Sequence, residues 1–411
     1  MDDRNPLINR RRVLLGGAAA TGLTGAAAAL GWAARNPGDA EVLFGSQTVP
    51  FFGAHQAGIE TPAQAHASFI GLDLRPDSGR DPRDALQAVL KLWTTDAERL
   101  TRGVPALADT EPELAVNPSR LTVTVGLGPS VFDKVRMARL RPPSARPLPE
   151  FRIDRLESRW GGTDLILQIC TDDPMVLAHA TRVLVKNVRS LAAERWRQTG
   201  FHNARGAQPD GVTPRNLMGQ VDGTVNPVAG TTDFDEVVWD DGRAQPWMNG
   251  GTLMVLRRIR MNLDTWDELD RGSKELAVGR RLDTGAPLTG GRETDPVDLS
   301  ATRDGIPVLP PNAHVALAHP VGLDDRFLRR PYSYDAAPAA GETSDSGLIF
   351  VTYQRDIDTQ FVPVQRRLAE ADALNRWITP IGSAVYVIPP GIGPGGHLGE
   401  QLFAAASSAG D

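Results

Sequence analysis

A carboxylate set between two glycines is the feature of this sequence best shaped for chemistry. In Gly219-Gln220-Val221-Asp222-Gly223 the glycines permit a tight backbone beside a flat ligand and leave a short acid projecting at a fixed angle. An acid held in this way can give or take a proton. Segments of this kind more often form Asx-type turns. A Ca²⁺ loop is a third reading, although the carboxylate repetition of an EF-hand is missing. Further along, Phe327-Leu328-Arg329-Arg330-Pro331-Tyr332-Ser333-Tyr334 pairs two guanidinium groups with two phenols. Such a run is ordinarily a solvated edge with a few ion pairs. Beside a reacting oxygen, a fixed guanidinium would stabilise developing negative charge.

Histidine is scarce, occurring at positions 55, 66, 179, 202, 314, 319 and 397. No HExxH or closely spaced His/Asp/Glu set proposes a zinc or non-haem iron site. One imidazole facing a large apolar slot would nevertheless suffice as the axial ligand of a haem. The only cysteine, Cys170, rules out an internal disulfide. Thiol-held zinc, iron–sulfur clusters and covalently attached haem are disfavoured with it. Cys170 reads as a small buried hydrophobe within a strand.

The elements that must position these residues are those of an ordinary globular chain. It has 411 residues, 41% hydrophobic and 23% charged, enough for two or three domains or a core of two similar halves. The net charge is −6, and residues 1–34 carry four Arg against two Asp, so the body is more acidic than the whole. An acidic body argues against nucleic acid or an anionic membrane as partner. Residues 1–34 read as an address. Asn9-Arg10-Arg11-Arg12-Val13-Leu14-Leu15 precedes a Gly/Ala-rich apolar stretch to about Leu30, in the manner of a twin-arginine export signal. Cleavage is expected near Ala29 or Ala34, and retention as a membrane anchor is the competing reading. That route carries folded proteins, often with a cofactor already inserted.

Beyond the leader, two stretches show the same order of elements, with a boundary near residue 215. In the first, a strand at Ala67–Leu74 leads into an amphipathic helix from Pro82 to about Arg99, with Leu86, Val89, Leu90 and Trp93 on one face. Strands at Leu121–Gly126 and Asp164–Cys170 follow, then a helix from Pro174 to about Glu194 and a strand at Trp196–Phe201. In the second, a strand at Gly251–Met261 precedes a helix from Asp264 to about Arg280 with Trp266, Leu269 and Leu276 on one face. Strands are expected at His314–Ala318, Gly347–Tyr353 and Ser383–Ile388, with a helix at Asp358–Ala371. This repeat predicts an α+β fold of two ferredoxin-like domains sharing a sheet-based core, residues 42–215 and 216–405.

Together the motifs resemble those of the dye-decolorising (DyP-type) haem peroxidases. Asn216–Pro227 resembles that family's GxxDG signature. His314-Val315-Ala316-Leu317-Ala318-His319-Pro320 resembles its proximal histidine segment, and Arg329-Arg330-Pro331-Tyr332 its distal arginine segment. Val49–Ile59, Arg281–Leu288 and Gln360–Leu368 are similar to the exported branch that includes deferrochelatase/peroxidases. The resemblance covers about residues 42–400. It implies a dimeric α+β barrel-like fold with one haem b per chain, bound in the second domain near Gly219 and Gly223. His314 would be the axial iron ligand and Asp372 the carboxylate accepting its N–H. Asp222 would be the acid–base group, Arg329 the distal cation, and Arg330 a neighbour of the haem propionates or edge. Two positions depart from the pattern: Ala316 stands where Arg is frequent, and Pro331 where Gly is.

The implied reaction reduces hydrogen peroxide and oxidises dyes, phenols or other small one-electron donors through an oxoferryl intermediate, favoured at acidic pH. Tyr332, Tyr334, Tyr353, Tyr386 and the tryptophans are candidates to relay electrons from the surface. The resemblance also leaves open iron release from haem. A third reading is a haem- or metal-trafficking partner with incidental peroxidase activity. The protein is expected outside the cytoplasm, as a monomer or homo-oligomer, with an extracytoplasmic redox or iron/copper-handling partner compatible with its branch.

Overall fold

Alternation of apolar residues drives nine strands into one antiparallel sheet that closes on itself. The computed structural model describes residues 44–408 except 210, 323, 339, 340 and 342; the export signal read at residues 1–34 lies outside them. The first half runs β1 (His66–Leu74), α1 (Pro82–Thr101), β2 (Thr122–Leu127), β3 (Leu165–Thr171), α2 (Pro174–Val188) and β4 (Ala192–Phe201). The second runs β5 (Thr252–Met261), α3 (Arg271–Val278), α4 (His314–Ala318), β6 (Leu328–Arg329) and β7 (Tyr332–Ala336). β8 (Asp345–Gln354), α5 (Val362–Ala371) and β9 (Ile378–Ile388) follow, and a helix at Glu400–Ser408 comes after them.

The strand order is β5-β9-β2-β3-β1-β4-β7-β8-β6, and a further pairing of β5 with β8 closes the ring. Within it, β2-β3-β1-β4 and β7-β8-β5-β9 have the same order, so each half is a ferredoxin-like unit. Pairing within a half is extensive. The two seams between halves rest on one register position each, Phe201 with Ser333 and Val387 with Leu127.

Closure gives every strand an inside and an outside. Along β1, Ala67 and Phe69 join one buried cluster, and Ile70 and Leu72 another, as period-two alternation requires. The inner cluster collects Phe69, Ile166, Cys170, Met254, Ile349 and all four tyrosines of the chain. Cys170 is thus a buried strand residue facing the barrel interior. On the outer face of the first half, α1 and α2 fill the space above the sheet with Leu86, Val89, Leu90, Trp93, Val183 and Leu184. Asp81 and Asp173 cap these two helices, each followed by proline at the first helical position.

Three expectations are corrected. His314–Ala318 is a short helix, not a strand; a five-residue apolar run does not distinguish the two by periodicity. The helix expected from Asp264 to about Arg280 is two helices, Leu263–Asp267 and Arg271–Val278. It restarts because the Asp270 side chain accepts the backbone N–H of Ser273 at 3.0 Å. Leu276 is consequently exposed, and Ala277 and Val278 turn inward. The helix expected from Asp358 begins as a π-turn, Ile357–Phe361, before α5. No helix among the described residues is long and apolar enough to cross a membrane.

Candidate active site

The outer face of the second half is not filled. Between its strands and its short helices lies an open cavity of about 1600 Å³, mouth included. Its apolar walls come from Ile259 and Met261 of β5, Leu348 and Phe350 of β8, Ile378 of β9, and Val278 and Leu368 of the helices. Asp222, Gly223, His314, Arg329 and Asp372 all line it.

The loop carrying Asp222 is built by its neighbours. The Asn216 side chain accepts the backbone N–H of Met218 at 3.0 Å, and its carbonyl accepts that of Gly219 at 3.0 Å. The Asx turn anticipated for this segment is therefore made by Asn216, and Asp222 is left to face the cavity. Gly219 (φ +80°) and Gly223 (φ +136°) occupy backbone conformations that a side chain would strain. Gly219 supplies the bend without lining the cavity. Arg215 pins the loop from behind, donating to the carbonyls of Gly219 at 2.8 Å and Asp283 at 2.6 Å. Thr213 and Thr224, on either flank, both donate to Glu293 Oε1, at 2.6 and 2.9 Å.

Arg329 ends the two-residue strand β6 and donates from Nη1 to Asp222 Oδ1 at 3.0 Å. Asn226 ties strand to loop: its amide donates to the Arg329 carbonyl at 2.7 Å, and its Oδ1 accepts the Arg329 backbone N–H at 3.1 Å. A second guanidinium, Arg280, also lines the cavity and is held by the carbonyls of Gly285 and Glu293 at 2.7 and 2.9 Å. Burial, and then the charge of Arg329, lowers the Arg280 pKa from its ordinary value.

His314 opens α4. Its Nδ1 donates to Asp372 Oδ2 at 2.6 Å, while Asp372 Oδ1 accepts the backbone N–H of Leu374 at 2.9 Å. Asp372 is buried at the C-terminal end of α5, so the carboxylate cannot reorient freely. Burial pulls the His314 pKa down, but the charge and hydrogen bond of Asp372 outweigh it and the net shift is upward. With Nδ1 engaged by a carboxylate, Nε2 carries the lone pair. Asp222 and Arg329 are near enough to act on the charge of His314.

Arg330 does not belong to this cavity. Strand geometry sends successive side chains to opposite faces, and Arg330 enters the barrel interior. There it contacts the Thr61 carbonyl and donates to Gln64 Oε1 at 2.6 Å. The expected place at a haem edge is therefore corrected. The tyrosines Tyr332, Tyr334, Tyr353 and Tyr386 are fully buried in the same interior. Sequence reasoning passed over Arg280, Asn226 and Glu293, none of which carries a local motif.

Residues 213–393 match the family model for Dyp-type peroxidase, C-terminal, and residues 56–202 that for Dyp-type peroxidase, N-terminal. The chain belongs to the Dyp-type peroxidase family. It is a peroxidase, and the cofactor of the family is haem. A dye-decolorizing peroxidase of Thermobifida fusca is 43% identical over 85% of this chain and 84% of its own length. A deferrochelatase of Yersinia pestis is 32% identical over 98% and 97%. The crystal structure of a DyP-type peroxidase from Cellulomonas bogoriensis is 49% identical, covers 88% of this chain and 99% of its own, and superposes with a TM-score of 0.84.

Proposed function

We propose that the cavity holds haem b, that His314 Nε2 ligates its iron, and that Asp222 and Arg329 serve hydrogen peroxide beside it. The observation that carries this is the convergence of two hydrogen-bonded pairs, His314–Asp372 and Asp222–Arg329, on one cavity with apolar walls. The donor set fits the group: a planar macrocycle needs an apolar slot, a neutral imidazole, and a carboxylate behind that imidazole.

When bound, the haem supplies an iron at which peroxide is reduced by two electrons, returned one at a time by donors. The protein's part is proton handling. Asp222 Oδ1 is engaged by Arg329, so Oδ2 is the oxygen that takes the proton from one peroxide oxygen and delivers it to the departing one. That transfer leaves Asp222 as it began. Arg329 holds the carboxylate in place, and its remaining N–H groups offset charge on the separating oxygens. Asp372 keeps the Nδ1 proton of His314, which maintains the ligating tautomer and makes the ring a stronger donor.

Asp222→Asn tests this division of labour. The variant should keep its haem absorption while its reaction with peroxide slows by about 10²–10⁴-fold; an unaltered rate in rapid mixing would remove Asp222 from the proton path. Small aromatic compounds and dyes are the proposed donors, by analogy with the Thermobifida relative. Iron release from haem is the second reading, favoured by the deferrochelatase relatives. Incubation with haem and assay for iron-free porphyrin separates the two. Export by the twin-arginine route is part of the proposal, supported by Arg10-Arg11 before an apolar stretch and by a chain that needs no disulfide.

A further inference from the structure

The helix that carries His314 is too short to hold itself in place. α4 has five residues and no side-chain cap at its N-terminus. Its last carbonyls have no partners within the helix, as at any helix end. An isolated segment of this length is far below what is stable in water. Something outside the helix must set its position, and with it the direction of the imidazole.

Arg367, on the neighbouring helix α5, meets that end. Its Nε donates to the Leu317 carbonyl at 3.1 Å and its Nη2 to the His319 carbonyl at 3.2 Å. Nη2 also pairs with Asp325 Oδ2 at 2.9 Å. Asp325 in turn accepts the backbone N–H groups of Val321 and Gly322, at 3.0 and 3.1 Å. A cation at a helix C-terminus also complements the helix dipole. The other end of α4 is held from the same quarter. His314 binds Asp372 at the end of α5, and the Asn312 carbonyl accepts the backbone N–H of Ala373 at 2.9 Å. α5 therefore grips both ends of α4, and Arg367 is its grip on the far one.

We infer that Arg367 is a positioning residue for the His314 imidazole, acting through α4 and the Asp325 turn. This inference rests on His314 being the haem ligand. With the fork removed, the C-terminal end of α4 loses two directed contacts and the Asp325 turn loses one. The ring can then tilt about its Asp372 hydrogen bond, and its bond to the iron weakens. Arg366, the exposed neighbour in sequence, carries the same charge and supplies the control.

The test compares haem-loaded wild type, Arg367→Ala, Arg367→Lys, Asp325→Asn and Arg366→Ala. The measurements are the rate of haem transfer to an excess of apomyoglobin and the iron–histidine stretching band of the reduced protein. Arg367→Ala is expected to lose haem about tenfold faster or more and to shift or broaden the band. Arg367→Lys and Asp325→Asn should fall between it and wild type, and Arg366→Ala should match wild type. If Arg367→Ala does not fold, Arg367→Lys and Asp325→Asn decide on the same two readouts. A folded Arg367 variant with a lower melting temperature but unchanged transfer rate and band would overturn the inference. A wild type that binds no haem would instead overturn the reading on which it rests.

Discussion

The two halves of the barrel share one strand–helix order and differ in what lies under their helices. In the first half, α1 and α2 span 20 and 15 residues and pack directly on the sheet. Trp93, Leu90 and Leu184 occupy the space between them with no exposure. In the second half the corresponding helices, α3 and α5, have 8 and 10 residues, and the sheet beneath them faces a cavity. The first half is filled, and the second leaves open the cavity proposed to hold the haem. The difference lies in helix length and side-chain filling, not in topology. One architecture yields a filled core or an open cavity according to how much of the sheet its helices cover.

Truncating the filled face breaks this contrast most severely if the contrast is wrong. Trp93→Ala removes a fully buried indole whose N–H donates to the Leu184 carbonyl at 3.0 Å. It should cost roughly 3–5 kcal/mol of stability without changing the haem spectrum. Denaturant unfolding with a parallel absorption spectrum reads both, and a spectral change would mean the two faces are coupled.

The seam between halves offers the next test, through pH. His202, just beyond β4, lies against Tyr332 with ring centroids 4.5 Å apart. Burial, then the charge of Arg330, lowers its pKa from 6.5 to about 4. Between those values the unfolded chain binds a proton that the folded chain refuses. Stability from this group is therefore intact above pH 6.5 and declines as pH falls toward 4, by at most about 3 kcal/mol. His202→Phe should flatten that part of the stability profile; an unchanged acid slope would assign it to other groups.

Leu348→Ala, on the open face, gives the smallest expected loss of stability. Leu348 already borders the cavity, so truncation should cost about 2 kcal/mol, the low end for a buried leucine. Its larger effect should be on haem retention, measured as transfer to apomyoglobin. A stability loss as large as that of Trp93→Ala would show that the second face is packed like the first.

The residues that converge on the cavity were easier to read in the sequence than the geometry around them. Asp222, His314 and Arg329 stand in segments whose residue order is specific, and Asp372 follows from the need of the proposed axial imidazole for a carboxylate. The doubled strand–helix order was legible because long amphipathic elements such as α1 carry many periods of signal. Arg330 was misplaced because adjacency in sequence means opposition in a strand: one residue separates the cavity from the barrel interior. The helix at His314–Ala318 was misread because one turn of helix and a short strand present the same apolar run. Asn226, Glu293 and Arg367 were invisible for another reason. They act through backbone groups brought near only by the fold, and backbone groups have no letter in the sequence.

The central claim is that the uncovered half of the sheet is a haem site organised on His314. Titrating the purified, haem-free protein with hemin and following the Soret band tests it most directly, in wild type and in His314→Ala. Wild type should saturate sharply at one haem per chain, and His314→Ala should give a weak, shifted and non-saturating response. Superimposable titrations, or a wild type without a Soret band, would contradict it.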